Sequence, residues 1–195
     1  MTIHSFHDEG GHSMNISDQL SLTAQQQPDK AAYIFQDKET SYQELEGAVT
    51  KFASSLQQLG YGKGDHIALV VGNSPFFVIG LYGALRIGAT VIPINPIYTV
   101  DEISYILKNG DVKGVITMDV LLEKFEHMDA HIPGIRHYFV GETGGNPGWE
   151  QSSLSEKMKS FTKTVCFGAF CFVFTRGYSL YFRNDWKAKR GDAHP

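Results

Sequence analysis

Three kinds of residue in this 195-residue sequence invite a chemical reading: histidines, cations and glycine-rich stretches. His4, His7 and His12 lie close together near the N-terminus. Their spacing matches no closed metal site, and no periodic apolar pattern surrounds them to hold one, so residues 1–13 read as a disordered leader. His127 and His131 are four apart, the spacing of a helical ligand pair, but Pro133 and a helix end intervene, and both read as surface histidines. The stretch Gly141 to Gly148 is glycine-rich yet has neither the spacing nor the lysine of a phosphate loop, and reads as a linker. Lys63 and Arg86 are isolated cations, expected to be solvated or paired rather than catalytic. Lys187, Lys189 and Arg190 cluster beside Trp186, a combination that can serve nucleic-acid binding. Between Met14 and Gly148 no residue qualifies as nucleophile, general base or phosphate clamp. No catalytic, cofactor-binding or metal-binding residue is therefore assigned.

Composition narrows the class. Hydrophobic residues make up 42% of the chain and charged residues 19%, as in ordinary globular proteins. The formal charge of −4 gives no reason to expect nucleic acid or an anionic membrane as a partner. The N-terminus lacks the basic region and apolar core of a signal peptide. The longest apolar run, Val165 to Phe174, is too short to span a bilayer. Cys166 and Cys171 imply no disulfide framework, and cytoplasm is the default location.

The elements follow from periodicity and punctuation. Ser17 or Asp18 can cap a first helix running to about Gln27, which Pro28 breaks. Ala31 to Gln36 and a short strand ending at Tyr42 form a hairpin about Asp37-Lys38. Ser41 and Glu44 form a capping box, and Leu45, Val49, Phe52, Leu56 and Leu59 then recur on one helical face until Gly60. Ile67 to Val71 is a strand buried on both faces. Pro75 opens a helix to Ile87 that is apolar almost all round and so expected to be buried. Gly80 and Gly83 would let another backbone approach it, and Gly88 stops it. Thr90 to Ile94 is a strand, and Thr99 with Glu102 caps a helix to Asn109 that Gly110 ends. Val112 to Thr117 is a strand. Asp119 caps a helix carrying Leu122, Phe125 and Met128, and Ile135 to Val140 is the last strand. Strands alternating with helices predict an α/β fold with a mainly parallel sheet and covering helices.

The central stretch TSYQELEGAVTKFASSLQQLGYGKGDHIALVVGNSPFFVIGLYGALRIGATVIPINPIYTVDEISYILKNGD strongly resembles the N-terminal part of AMP-forming acyl-CoA synthetases, in the acyl-adenylate-forming superfamily. Bacterial long-chain fatty acid–CoA ligases are the nearest resemblance. It covers about Asn15 to Gly144 and is more specific to the superfamily than to fatty acids. It implies a two-step reaction in which ATP and a carboxylate give acyl-adenylate and pyrophosphate, and coenzyme A then displaces AMP. Magnesium accompanies the ATP. Residues 14–148 are thus expected to be the N-terminal part of an AMP-binding domain, an incomplete subdomain by itself.

The resemblance also implies a phosphate-binding loop shortly afterwards, reading like Ile-Leu-Tyr-Thr-Ser-Gly-Thr-Thr-Gly-Lys-Pro-Lys-Gly-Ala-Met-Leu-Thr. The sequence instead reads VCFGAFCFVFTRGYSLYFRNDWKAKRGDAHP, with crowded aromatics and no cap or turn logic, unlike everything upstream. The genetic code offers an explanation. With Tyr178 to Pro195 returned to codons and read one base later, Trp186 and the first base of Lys187 give GGA, glycine, without choice. Lys187 and Ala188 then permit Lys, Ala188 and Lys189 permit Pro, Lys189 and Arg190 permit Lys, and Arg190 and Gly191 permit Gly. The remainder permits Ala, Met, Leu and Thr, and reading backward from the glycine permits Thr, Thr, Gly, Ser, Thr, Tyr, Leu and Ile. Each overlap admits only a handful of amino acids, so an unrelated tail is the weaker explanation. A reading-frame change upstream of Tyr178, between about Leu154 and Gly177, is expected, with residues 149–195 a linker and an out-of-frame tail. The basic cluster beside Trp186 is then a by-product of the shifted frame.

Two classes of outcome follow. The chain alone is expected to be a catalytically inactive product of a disrupted gene, needing no cofactor and prone to self-association. Alternatively it is a binding module that docks on a separately made remainder, where ATP, magnesium, coenzyme A and a fatty acid would be used.

Overall fold

The computed structural model describes residues 15–126, 132 and 134–141, together with the backbone of 163–167 and 170–174. The expected leader, His127, His131, the linker from residue 142 and the basic cluster lie outside the described residues. The first helix, α1 (Ile16–Gln26), is capped by Asn15 rather than Ser17 or Asp18. The Asn15 Oδ1 accepts from the Ser17 and Asp18 amides at 2.7 and 3.1 Å, and the Asp18 carboxylate accepts in return from the Asn15 N–H. Strands β1 (Ala31–Phe35) and β2 (Lys38–Ser41) form the expected hairpin. Its turn lies one residue earlier than expected: Gln36 and Asp37 hold the two positive φ angles, 49° and 60°, that match the strand twist.

The capping boxes are where the sequence places them. Ser41 opens α2 (Tyr42–Gln58), exchanging bonds with Glu44. Thr99 opens α4 (Val100–Asn109), exchanging bonds with Glu102. In each box the backbone amide that donates to the glutamate holds its carboxyl below the usual range. Gly110 follows α4 as expected, but with φ −84°, and the left-handed position passes to Asp111 at 45°. Asp119 does not cap an α-helix. It begins a 3-10 turn, Asp119–Leu121, before the short α5 (Leu122–Glu126).

Strand β3 (His66–Leu69), α3 (Pro75–Arg86), β4 (Thr90–Pro93), α4, β5 (Val112–Met118) and β6 (His137–Gly141) form the parallel unit. The sheet continues with β8 (Phe170–Phe174) antiparallel to β6, and β7 (Lys163–Phe167) antiparallel to β8. The sheet order is β4-β3-β5-β6-β8-β7. Part of the segment expected to be an aberrant tail therefore extends the sheet.

The alternating side chains of β3 divide the core in two. Ile67, Leu69 and Val71 join Val49, Phe52, Leu56, Ile79 and Ile116 on the α2–α3 face. Ala68 and Val70 join Ile103, Leu107, Val115, Phe125 and Tyr138 on the α4–α5 face. The expected face of α2 is buried at Leu45, Val49, Phe52 and Leu56, while Leu59 is only partly covered. Helix α3 departs from expectation. Only Ile79, Gly80, Gly83 and Ala84 are buried, and Phe76, Phe77, Val78, Leu81 and Tyr82 are partly exposed. Its glycines admit side chains rather than another backbone. A Cβ on Gly83 would lie 2.6 Å from Phe52, and one on Gly80 would lie 3.1–3.3 Å from Leu69 and Ile116.

Candidate functional site

In open α/β sheets ligands bind beyond the carboxyl ends of the parallel strands, where loops rather than ladders occupy the backbone groups. In this chain that edge carries a shallow crevice of about 430 Å³. It is lined by Val71, Gly72 and Asn73 after β3, Phe77 on α3, and Pro93 to Ile97 after β4. A second hollow of about 480 Å³ lies along α4, lined by Tyr98, Asp101, Glu102, Tyr105 and Ile106.

Polar groups in and beside the crevice help to shape its loops. The Asn95 Oδ1 accepts from the Ile97 amide at 3.0 Å. The Ser74 hydroxyl donates to the Gly72 carbonyl at 3.3 Å and leaves α3 without a side-chain cap. Lys124, which sequence alone does not single out, donates to the carbonyls of Pro96 and Tyr98 at 2.7 and 2.9 Å and pins the loop between β4 and α4. Nothing local in the sequence marks this, because its partners lie 28 and 26 residues away.

The opposite, amino-terminal edge of the strands holds a second polar cluster that the sequence did not reveal. The buried Tyr61 hydroxyl lies 2.9 Å from the Lys113 carbonyl and 2.8 Å from His137 Nδ1. The Arg136 guanidinium covers the Tyr61 ring at 4.4 Å and pairs with Asp65 at 2.6 Å. Burial raises the Tyr61 phenol pKa. Burial first, and then the Arg136 charge, lower the His137 pKa to about 4. This cluster faces away from the strand ends where ligands bind, and its groups lock β3, β5 and β6 together.

The remaining candidate cations divide. Arg86 is paired, bonding Glu46, Ser17, Ser21 and Thr50 across three helices. Lys63 is exposed. Among the described residues no group of three or more His, Cys, Asp or Glu could hold a metal ion. Neither hollow is lined by Lys or Arg. A triphosphate with its magnesium needs cations and convergent N–H groups around its oxygens, so the described residues do not fit ATP by themselves. No helix among the described residues is long and apolar enough to cross a membrane.

Comparison with known proteins supplies the class. Residues 20–160 match the model of the family described as AMP-binding enzyme, and the chain belongs to that family. Its structural neighbours are adenylate-forming ligases, and the α/β fold is that of their N-terminal subdomains. The long-chain-fatty-acid–CoA ligase of Bacillus subtilis (strain 168) is 37% identical over 105 residues, 54% of this chain and 19% of that protein. Bacitracin synthase 3 of Bacillus licheniformis is 32% identical over 101 residues, 52% of this chain and 2% of that protein. The crystal structure of a long-chain-fatty-acid–CoA ligase from Archaeoglobus fulgidus aligns with TM-score 0.60 and 28% identity, over 74% of this chain and 29% of that one. The anthranilate CoA ligase AuaEII shares the fold, with TM-score 0.63 and 23% identity over 65% of this chain and 25% of that one. The chain thus spans about a fifth of the B. subtilis ligase.

Proposed function

We propose that this chain derives from a long-chain fatty acid–CoA ligase that activates its substrate as an acyl-adenylate, and that the chain alone does not carry out that chemistry. The observation that carries the substrate class is the 37% identity to the B. subtilis ligase over 105 residues, beside the 28% identity to the A. fulgidus fatty-acid–CoA ligase. Support for inactivity comes from the crevice. The Asn95 side-chain oxygen that lines it is engaged by the Ile97 amide of the same loop, and no lysine or arginine lines it. Support for the origin of residues 178–195 comes from the codons. Read one base later, they permit the whole phosphate-binding loop that the family resemblance implies.

The gene decides this reading. Its nucleotide sequence should spell the Thr/Ser/Gly/Lys loop in the shifted frame across the codons for Tyr178 to Pro195. A protein made from the frame-restored gene should form acyl-CoA from a fatty acid, ATP and coenzyme A. Losing one preorganised donor commonly costs about 2.7–4 kcal/mol of transition-state stabilisation, so losing the loop should abolish adenylation. The unrestored chain should show no ATP binding by calorimetry and no fatty-acid-dependent pyrophosphate exchange. DNA lacking the loop in every frame, or micromolar ATP affinity in the unrestored chain, would overturn it.

A further inference from the structure

At the junction of α4 and β5, the exposed Asn109 is followed by Gly110. This glycine does not serve for its backbone freedom, because its φ of −84° is open to any residue. It serves for room. A Cβ on Gly110 would lie 2.7 Å from Ile92 Cδ1 and 3.0 Å from the Ile106 carbonyl oxygen. Packing of α4 against β4 thus favours a residue without a side chain directly after an exposed asparagine. That pairing has a chemical consequence. The amide carbon of an asparagine side chain can close a five-membered ring with the next backbone nitrogen, and a following glycine leaves the approach of that nitrogen unobstructed. The other asparagines are less well placed. Asn15 precedes the branched Ile16, Asn73 precedes Ser74, and Asn184 precedes Asp185. Asn95 and Asn146 precede prolines, which have no N–H to lose.

We propose that Asn109 is a site of spontaneous deamidation, and that the fold restrains the reaction by tying down Gly110. The Gly110 amide donates to the Ile106 carbonyl at 2.9 Å. The Gly110 carbonyl accepts from His66 Nδ1 at 2.6 Å, so His66 carries a proton on that nitrogen. Held at both groups, the glycine nitrogen is aimed at Ile106 and becomes free to react when the last turn of α4 opens. Hydroxide then takes the amide proton, and the Gly110 nitrogen bonds to Asn109 Cγ. The bond from Cγ to the side-chain nitrogen breaks, and ammonia leaves with a proton from water. Water next opens the cyclic imide at either carbonyl. One opening gives aspartate. The other gives isoaspartate, whose main chain runs through the former side chain and is longer by a methylene. Both products place a carboxylate at the C-terminal end of α4, where the helix dipole and the neighbouring Asp111 disfavour it. The longer main chain of isoaspartate also draws the Gly110 carbonyl away from His66 and loosens α4 from β3. Copies of the chain therefore lose stability with age, at a rate set by how often this one turn opens.

The test incubates the full chain in mildly alkaline buffer and follows two readouts. Mass spectrometry of the tryptic peptide 109–113 should show the gain expected when an amide becomes a carboxyl, before any other asparagine peptide shows it. Isoaspartate is counted separately, by transfer of a labelled methyl group from S-adenosylmethionine with a protein isoaspartyl methyltransferase. Asn109→Gln, whose longer side chain cannot close the five-membered ring, should lose both signals. Unfolding the chain in guanidinium chloride should quicken them at least about tenfold, because the turn is then always open. His66→Phe keeps a ring but removes the donor to Gly110, and should quicken them several-fold in a chain that circular dichroism shows to be folded. Earlier reaction at another asparagine, signals that survive in Asn109→Gln, equal rates in the folded and unfolded chain, or a folded His66→Phe no faster than its parent would each overturn the proposal. If His66→Phe does not fold, the comparison in guanidinium decides.

Discussion

Arg86 shows what a single residue contributes to this fold. Its guanidinium reaches Ser17 and Ser21 on α1 and Glu46 and Thr50 on α2, with both Glu46 contacts at 2.8 Å. The sequence allowed for pairing but could not name the partners, because they lie 36 to 69 residues away and no local spacing records such a distance. Lysine carries the charge without the planar fork. Arg86→Lys should therefore destabilise the chain by on the order of 2 kcal/mol, the scale of charge-assisted bonds left unmade, read as a lowered urea midpoint at unchanged slope. His137 gives a second residue-scale expectation. Its folded pKa, about 4, lies below its ordinary 6.5, so the unfolded chain binds more protons between those values. The contribution is complete above about pH 6.5 and is lost as the pH falls toward 4. A series of melts from pH 7 to 4 should show falling stability, and His137→Gln should flatten that dependence.

Among the elements, local signals were legible and tertiary ones were not. The boxes at Ser41 and Thr99 need only residues three apart, so sequence located them. The 3-10 turn at Asp119 and the half-exposed outer face of α3 depend on what packs nearby, which sequence does not contain. The candidate site divides in the same way. The strand ends that form the crevice were legible, but the pinning of its loop by Lys124 was not. Glycines in two helices make the contrast measurable. A methyl group added at Gly47 in α2 would meet nothing within 4 Å, so Gly47→Ala should stabilise the chain by about 0.5–1 kcal/mol. Gly83 in α3 meets Phe52, whose ring is buried edge-on against Phe139 at 5.9 Å, so Gly83→Ala should destabilise by about 1–3 kcal/mol through overpacking. Thermal melts of the two variants should move in opposite directions.

For the whole molecule the sequence indicated a mainly parallel sheet but not its strand order, which follows from how the crossovers wind. It also did not indicate that residues 163–167 and 170–174 would prolong the sheet beyond β6. With the outer side of α3 only partly covered, the chain should be marginally stable and should associate as its concentration rises. The apolar β-rich run from Val165 to Phe174 is the expected seed, so Val165→Pro should suppress that association in sedimentation experiments. The two rims of the sheet set how far such association can go. Pro93 blunts the β4 rim, whereas among the described residues β7 ends the other with an unshared row of backbone groups. A sheet with one adhesive rim and one blunt rim has a valence of one. Two molecules joined β7 to β7 would present only β4 rims at either end of the joined sheet, so growth through the edges of this sheet stops at a pair.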